Sequence, residues 1–219
     1  MSTKRTNSEA AVLEQYRVSI ENAKKQPTIS SIMTEYGYTP EVIVTGENLY
    51  SKTFEIYNRN KTEDDETSAA YATFSNQKDA LKELYKTHRK KAKVVFKNEP
   101  VILDLLLLQG TQPGAYVKWM EMIKKFYDEL TKSEELKNRL SRLKVPEEEL
   151  NQASELISST ESARAEYLRE VGESEDATQQ KDAAFAKLDE WMSEFYAVAK
   201  IALEDHPQLL ESLGKSIKS

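Results

Sequence analysis

Apolar residues recur every three or four positions through almost the whole chain, and that spacing leaves little room for anything but packed helices. The clearest case is Phe185, Leu188, Met192, Phe195, Ala199 and Ala202, at steps of 3, 4, 3, 4 and 3. Such steps put side chains on one face of a helix with 3.6 residues per turn. Leu13, Tyr16, Ile20 and Ala23 repeat the pattern near the start, and Leu81, Leu84, Tyr85, His88, Ala92 and Val95 repeat it in mid-chain. Six glycines and six prolines among 219 residues argue against an all-β or disordered chain.

The apolar register also returns after 107 residues, the separation of Pro100 and Pro207. Shifted by that amount, Leu13 meets Met120, Ile20 meets Tyr127, Ile43 meets Leu150 and Gly46 meets Ala153. Thr53 meets Thr160, Leu81 meets Leu188, Leu84 meets Trp191 and Ala92 meets Ala199. Identity is low, and two amphipathic chains can align in part by chance. The expectation is an all-α helical bundle of two tandem repeats, residues 1–110 and 111–219. Each repeat has two to three long helices and short flanking ones, and the two pack as one globular unit. Two units are fewer than a solenoid needs.

Helix punctuation sets the expected boundaries. Ser8 is a candidate N-cap with Glu9 in the first turn. Pro27, Pro40 and Pro146 suit first turns. Asn58 to Thr67 holds too few apolar residues to pack and reads as a loop or frayed end. Gly172-Glu173-Ser174-Glu175-Asp176 reads as a turn. A long helix from about 68 should stop before Pro100, which lacks an N–H. A short apolar helix from Val101 to Leu108 should follow, and the inward stripe before the polar stretch includes Phe54.

There are no cysteines, so disulfides, thiolate metal sites and cysteine nucleophiles are excluded. The start, Met1 to Glu9, has no apolar core of signal-peptide length. The longest nearly apolar run, Val101 to Leu108, would span about 12 Å of helix against roughly 30 Å of bilayer. A cytoplasmic protein without membrane contact is the expectation. The net charge of -6 weighs against nonspecific nucleic-acid binding.

No phosphate-loop, dinucleotide-binding, nucleophile-elbow or zinc-protease motif occurs. Neither histidine has a Glu three residues before it, which excludes the di-iron bundle pattern. The acidic runs at 63–66 and 173–176 lack the spacing of a calcium loop. No catalytic residue, metal, cofactor or small-molecule ligand is expected. His88 sits on the buried stripe where the second half has Phe195. It is read as a core histidine bonded to a neighbouring helix, with a ligand or general base as the sharper alternative.

Two features distinguish the first half. Lys82, Lys86, Lys90, Lys93 and Lys97 share one helical stripe, with Arg89 beside it, while the second half has Asp189, Ser193, Ala197 and Glu204 among the counterparts. These are candidate contacts to an anionic ligand or partner. Val101, Leu105, Leu107 and Leu108 form a candidate apolar interface. Leu105, Leu107 and Val101 stand where the second half has Ser212, Gly214 and Gln208. Either the second half or a second subunit, as in a homodimer, would cover them.

Tyr36 to Glu41, Leu188 to Phe195, and Ile201 to Asp205 with Pro207 to Glu211 resemble a family of bacterial two-repeat all-α proteins. The resemblance covers most of the chain. The family's Gly-Tyr pair is present at Gly37-Tyr38, whereas the second half departs from it at Leu143-Lys144-Val145. The resemblance implies the fold and no activity. The first functional expectation is thus a non-enzymatic scaffold or interaction module that can self-associate as a homodimer. The alternative is anionic-ligand or nucleic-acid binding along Lys82 to Lys97, and the third is an enzyme with a pocket near His88.

Overall fold

The structure, a computed structural model, describes residues 7–214. It is all-α, with eight helices and no strand among the described residues. In chain order they are α1 (Glu9–Lys25), α2 (Pro27–Glu35), α3 (Pro40–Val95), α4 (Pro100–Leu105), α5 (Tyr116–Lys132), α6 (Glu134–Ser141), α7 (Glu147–Ala202) and α8 (Gln208–Ser212).

The expected boundary chemistry explains most of these ends. The Ser8 hydroxyl caps α1 by accepting from the Ala11 N–H at 3.3 Å. Pro27 stops α1 and occupies the first turn of α2. Gly37, at φ 91°, ends α2 in the left-handed conformation. The Tyr38 N–H then reaches the Met33 carbonyl at 2.9 Å, and the Tyr38 ring turns into the core.

Two expected breaks are absent. Residues 58–67 and 172–176 are helical, so α3 and α7 are each 56 residues long. The first stretch contains neither Gly nor Pro, and its inward stripe is polar rather than missing. Thr53, Asn60 and Glu63 are buried in sequence register with Ile43 and Gly46. The Asn60 amide donates to the Thr178 hydroxyl at 3.1 Å, and the Thr53 hydroxyl donates to the Leu49 carbonyl at 2.8 Å. Gly172 costs the helix only about 1 kcal/mol relative to Ala. Phe54, expected inward, is exposed and stacks on Tyr50 with ring centroids 6.0 Å apart.

The unbroken helices change how the chain is partitioned. A helix with no turn cannot fold back on its own first part. One compact unit takes the described residues up to 65 and those from 172 on; the other is 66–171. Each joins the opening helices of one half to the closing helices of the other. The division at 110/111 expected from the sequence is therefore not the division into compact units.

The first unit packs Leu13, Ile20, Ile29, Met33 and Ile43 against Phe185, Leu188, Met192, Phe195 and Leu203. Its centre is aromatic. Trp191 stacks on Phe195 at 5.5 Å, and Tyr38 meets both rings edge-on. Gly46 lies against the indole, where an added Cβ would fall 2.3 Å from a ring carbon. The second unit packs Leu81, Tyr85, Ala92, Phe96, Leu106 and Leu108 against α5, α6 and the start of α7. Tyr85, Phe126 and Tyr127 form its edge-to-face cluster.

Candidate functional site

The residues singled out in the sequence gather in the second unit, around the end of α3 and α4. Pro100 starts α4, and Leu107 ends it with φ 50°. The Leu107 N–H bonds the Asp104 carbonyl at 3.0 Å, and the Leu108 N–H bonds the Leu103 carbonyl at 2.8 Å. These bonds close the helix and swing Leu108 inward. Leu106 and Leu108 are fully buried, whereas Val101 is 79% exposed and Leu105 and Leu107 are each 38% exposed. Leu108 is thus removed from the expected interface. Its side chain belongs to the core because the left-handed residue before it reverses the chain direction.

Upstream, the stripe divides by what each cation touches. Lys82, Lys90, Lys93 and Lys97 are exposed and make no ion pair or hydrogen bond with the described residues. Lys86 pairs with Glu83 at 3.1 Å on the same helix. Arg89 turns inward and donates to the Leu108 and Gly110 carbonyls at 2.9 and 3.1 Å, so its guanidinium pins the loop after α4. Lys91, beside the stripe, donates to the Lys144 carbonyl at 2.7 Å. Lys93 and Lys97 line a groove of about 450 Å³ with Pro100, Leu103 and Gln109. At the near end of α4, Glu99 forms a two-pronged ion pair with Arg139, which holds the Glu99 carboxyl below its usual range.

A second constellation lies inside the same unit. The His88 ring is fully buried, with Nδ1 2.9 Å from the Tyr127 hydroxyl and Nε2 2.7 Å from a Glu149 carboxylate oxygen. An ionised Glu149 only accepts, which puts the ring proton on Nε2 and leaves Nδ1 to accept from Tyr127. Every polar atom of a neutral imidazole is then satisfied. Burial lowers the His88 pKa against the opposing pull of Glu149, and burial raises the Tyr127 hydroxyl. Glu149 is the end of this chain that reaches solvent.

His88 was legible as a core histidine, but Tyr127 and Glu149 were not recognised as its partners. The signal was present in the 107-residue register. Tyr127 matches Ile20, His88 matches Phe195, and Glu149 matches Val42. Three polar residues replace three apolar ones at once, which a single chain position does not reveal. Glu149 also stands with Glu147 and Glu148 in the first turn of α7, where the helix dipole favours carboxylates, so its place has a second explanation that hides the pairing.

Among the described residues no helix is long and apolar enough to cross a membrane. No family model, curated protein or solved structure matches the chain.

Proposed function

We propose that this protein is a non-enzymatic helical contact module built by duplication of a unit of about 107 residues, with its binding face at the end of α3 and along α4. The duplication is supported by α1 and α5, both 17 residues long, and by α3 and α7, both 56, each pair beginning 107 residues apart. One observation carries the binding face. Val94, Val101, Leu105 and Leu107 stand exposed at the end of α3 and on or just after α4, and Lys90, Lys93 and Lys97 at the end of α3 have no ion pair or hydrogen bond among the described residues. Solvated apolar side chains next to unneutralised charge are what a partner would cover. The burial of His88 weighs against chemistry at its ring.

Radical footprinting in the expressing cells, compared with dilute purified protein, tests this reading. Val101, Leu105 and Leu107 should be protected in the cell and reactive in dilute solution. Equal reactivity in both would remove the binding face.

The unpartnered lysines also support a second reading, binding of an anionic ligand or nucleic acid. A gel shift at low salt should then appear and fade as salt rises. Absence of any shift at low salt would end it.

A further inference from the structure

The exposed side of α3 near its end has a counterpart of opposite charge near the end of α7. Val94 is 60% exposed, and Ile201, 107 residues later, is 62% exposed. Lys90 stands one turn before Val94 on the same face, and Lys97 lies three residues after it, in the turn that follows α3. The matching positions around Ile201 are Ala197 and Glu204, and the residue after Glu204 is Asp205 where the first surface has Asn98. Glu204 and Asp205 are exposed and have no ion partner among the described residues. The two surfaces belong to different compact units, and each unit's charge follows its surface. The unit holding Ile201 has 13 Lys+Arg and 20 Asp+Glu in sequence, and the unit holding Val94 has 18 and 17.

Resting on the reading of α3 and α4 as a binding face, we infer that the partner is a second copy of this chain. The Val94 surface of one copy docks on the Ile201 surface of another. The valine and isoleucine supply the water-excluding centre, and Lys90 and Lys97 against Glu204 and Asp205 supply the rim. Opposite charge on the two surfaces disfavours like-with-like contact, Val94 surface on Val94 surface, because the lysines would then face each other. Lys200 matches Lys93 and stands four residues before Glu204, so the acidic surface carries a cation of its own beside its two carboxylates.

The test is light scattering on the purified full-length protein at low and high salt. The expected result is a mass above the monomer at low salt that falls as salt rises. Lys90→Glu with Lys97→Glu should weaken association roughly tenfold or more, since like charges would then meet. Adding Glu204→Lys and Asp205→Lys to that chain reverses both surfaces together and should restore it. All six positions of contact are exposed, and circular dichroism checks that each variant keeps the wild-type fold. A strict monomer at low salt overturns the inference, and so does association that the reversed lysines leave unchanged. Protection of Val101 and Leu105 in cells alongside a strict monomer in solution would retain the binding face and assign it another partner. Loss of both would remove the binding face as well.

Discussion

Phe195 in one compact unit and His88 in the other hold the same place in the 107-residue register, and both are fully buried. Their surroundings differ in kind. Phe195 lies in an aromatic stack with Trp191 and Tyr38, and the matching neighbours Ile20 and Val42 are apolar. His88 sits between a phenol and a carboxylate. The lesson is that a similar helical frame accepts either an apolar or a polar centre, provided the centre is complete. A half-made polar centre is the costly state, because a buried donor or acceptor without a partner keeps its desolvation penalty.

Exchanging the two residues would break this comparison most severely. Phe195→His places an imidazole where the matched neighbours offer no acceptor and leaves space beside Trp191. The expected loss is about 3–4 kcal/mol, from the cavity and the unpaired ring nitrogens together. His88→Phe should cost less, about 1–3 kcal/mol, because it orphans the buried Tyr127 hydroxyl while Glu149 can turn to water. Urea unfolding would measure both, and a reversed order would show that polar pairing is not what distinguishes the units.

The same exchange has a pH signature. The folded His88 pKa lies below its ordinary value of 6.5, so the unfolded chain binds the extra proton first as pH falls. Stability from a neutral His88 is complete above about pH 6.5 and declines below it, by at most about 1.4 kcal/mol per pH unit for one proton. His88→Phe should flatten that part of the profile, although Glu149 and Lys91 remain nearby. An unchanged slope in the variant would assign the acid sensitivity to other groups.

A smaller pair of changes addresses how each unit fits a large side chain. Gly46 lies against Trp191, and their matched positions are Ala153 and Leu84, so the register trades a small-large pair for a pair of middling size. Gly46→Ala gains roughly 1 kcal/mol of helix propensity in isolation. Its Cβ would nonetheless fall 2.3 Å from the indole. The net effect should be a loss of about 1–3 kcal/mol, the usual cost of overpacking. Ala153→Gly should lose only about 1 kcal/mol through propensity. A stabilising Gly46→Ala in thermal unfolding would mean that the indole can move aside.

What could be read from the sequence follows from which forces act locally. The all-α class, the helix starts at Pro27 and Pro40, the stop before Pro100, and the inward stripe through Phe185, Met192 and Phe195 depend on spacing and backbone chemistry. Both are written in consecutive residues. The continuity of α3 was hidden because the buried positions in its polar stretch are Asn60 and Glu63, which hydropathy counts as solvent-facing, and that of α7 because Gly172 reads as a turn. The Asn60 partner, Thr178, lies more than a hundred residues away. The partition into compact units depends on that continuity, so it could not be read where the helices were expected to break. The site residues divide in the same way. Exposure of Lys93 and Lys97 followed from helical phase, whereas the sequence left open what covers Val101. The inward turn of Leu108 depended on a left-handed residue that no glycine announced.

That last point suggests the mildest change, at the other place where a side chain occupies a glycine's conformation. Lys144 has φ 56°, and Gly37, its match 107 residues earlier, has φ 91°. Both follow a short helix and precede a buried residue, Val145 in one case and Tyr38 in the other. A Cβ in the left-handed region crowds the following carbonyl, at a cost of roughly 1–2 kcal/mol. Glycine removes that cost but also frees the unfolded chain, which returns part of the gain. Lys144→Gly should therefore stabilise by about 0.5–1 kcal/mol, and the Lys91 bond to the residue 144 carbonyl survives because it is made to the backbone. Gly37→Lys should destabilise by about 1 kcal/mol for the converse reason. Chemical denaturation of the two variants would decide it. If Lys144→Gly is neutral or harmful, the lysine side chain contributes more at that turn than its backbone conformation costs, and the two turns differ in energetics despite sharing a shape.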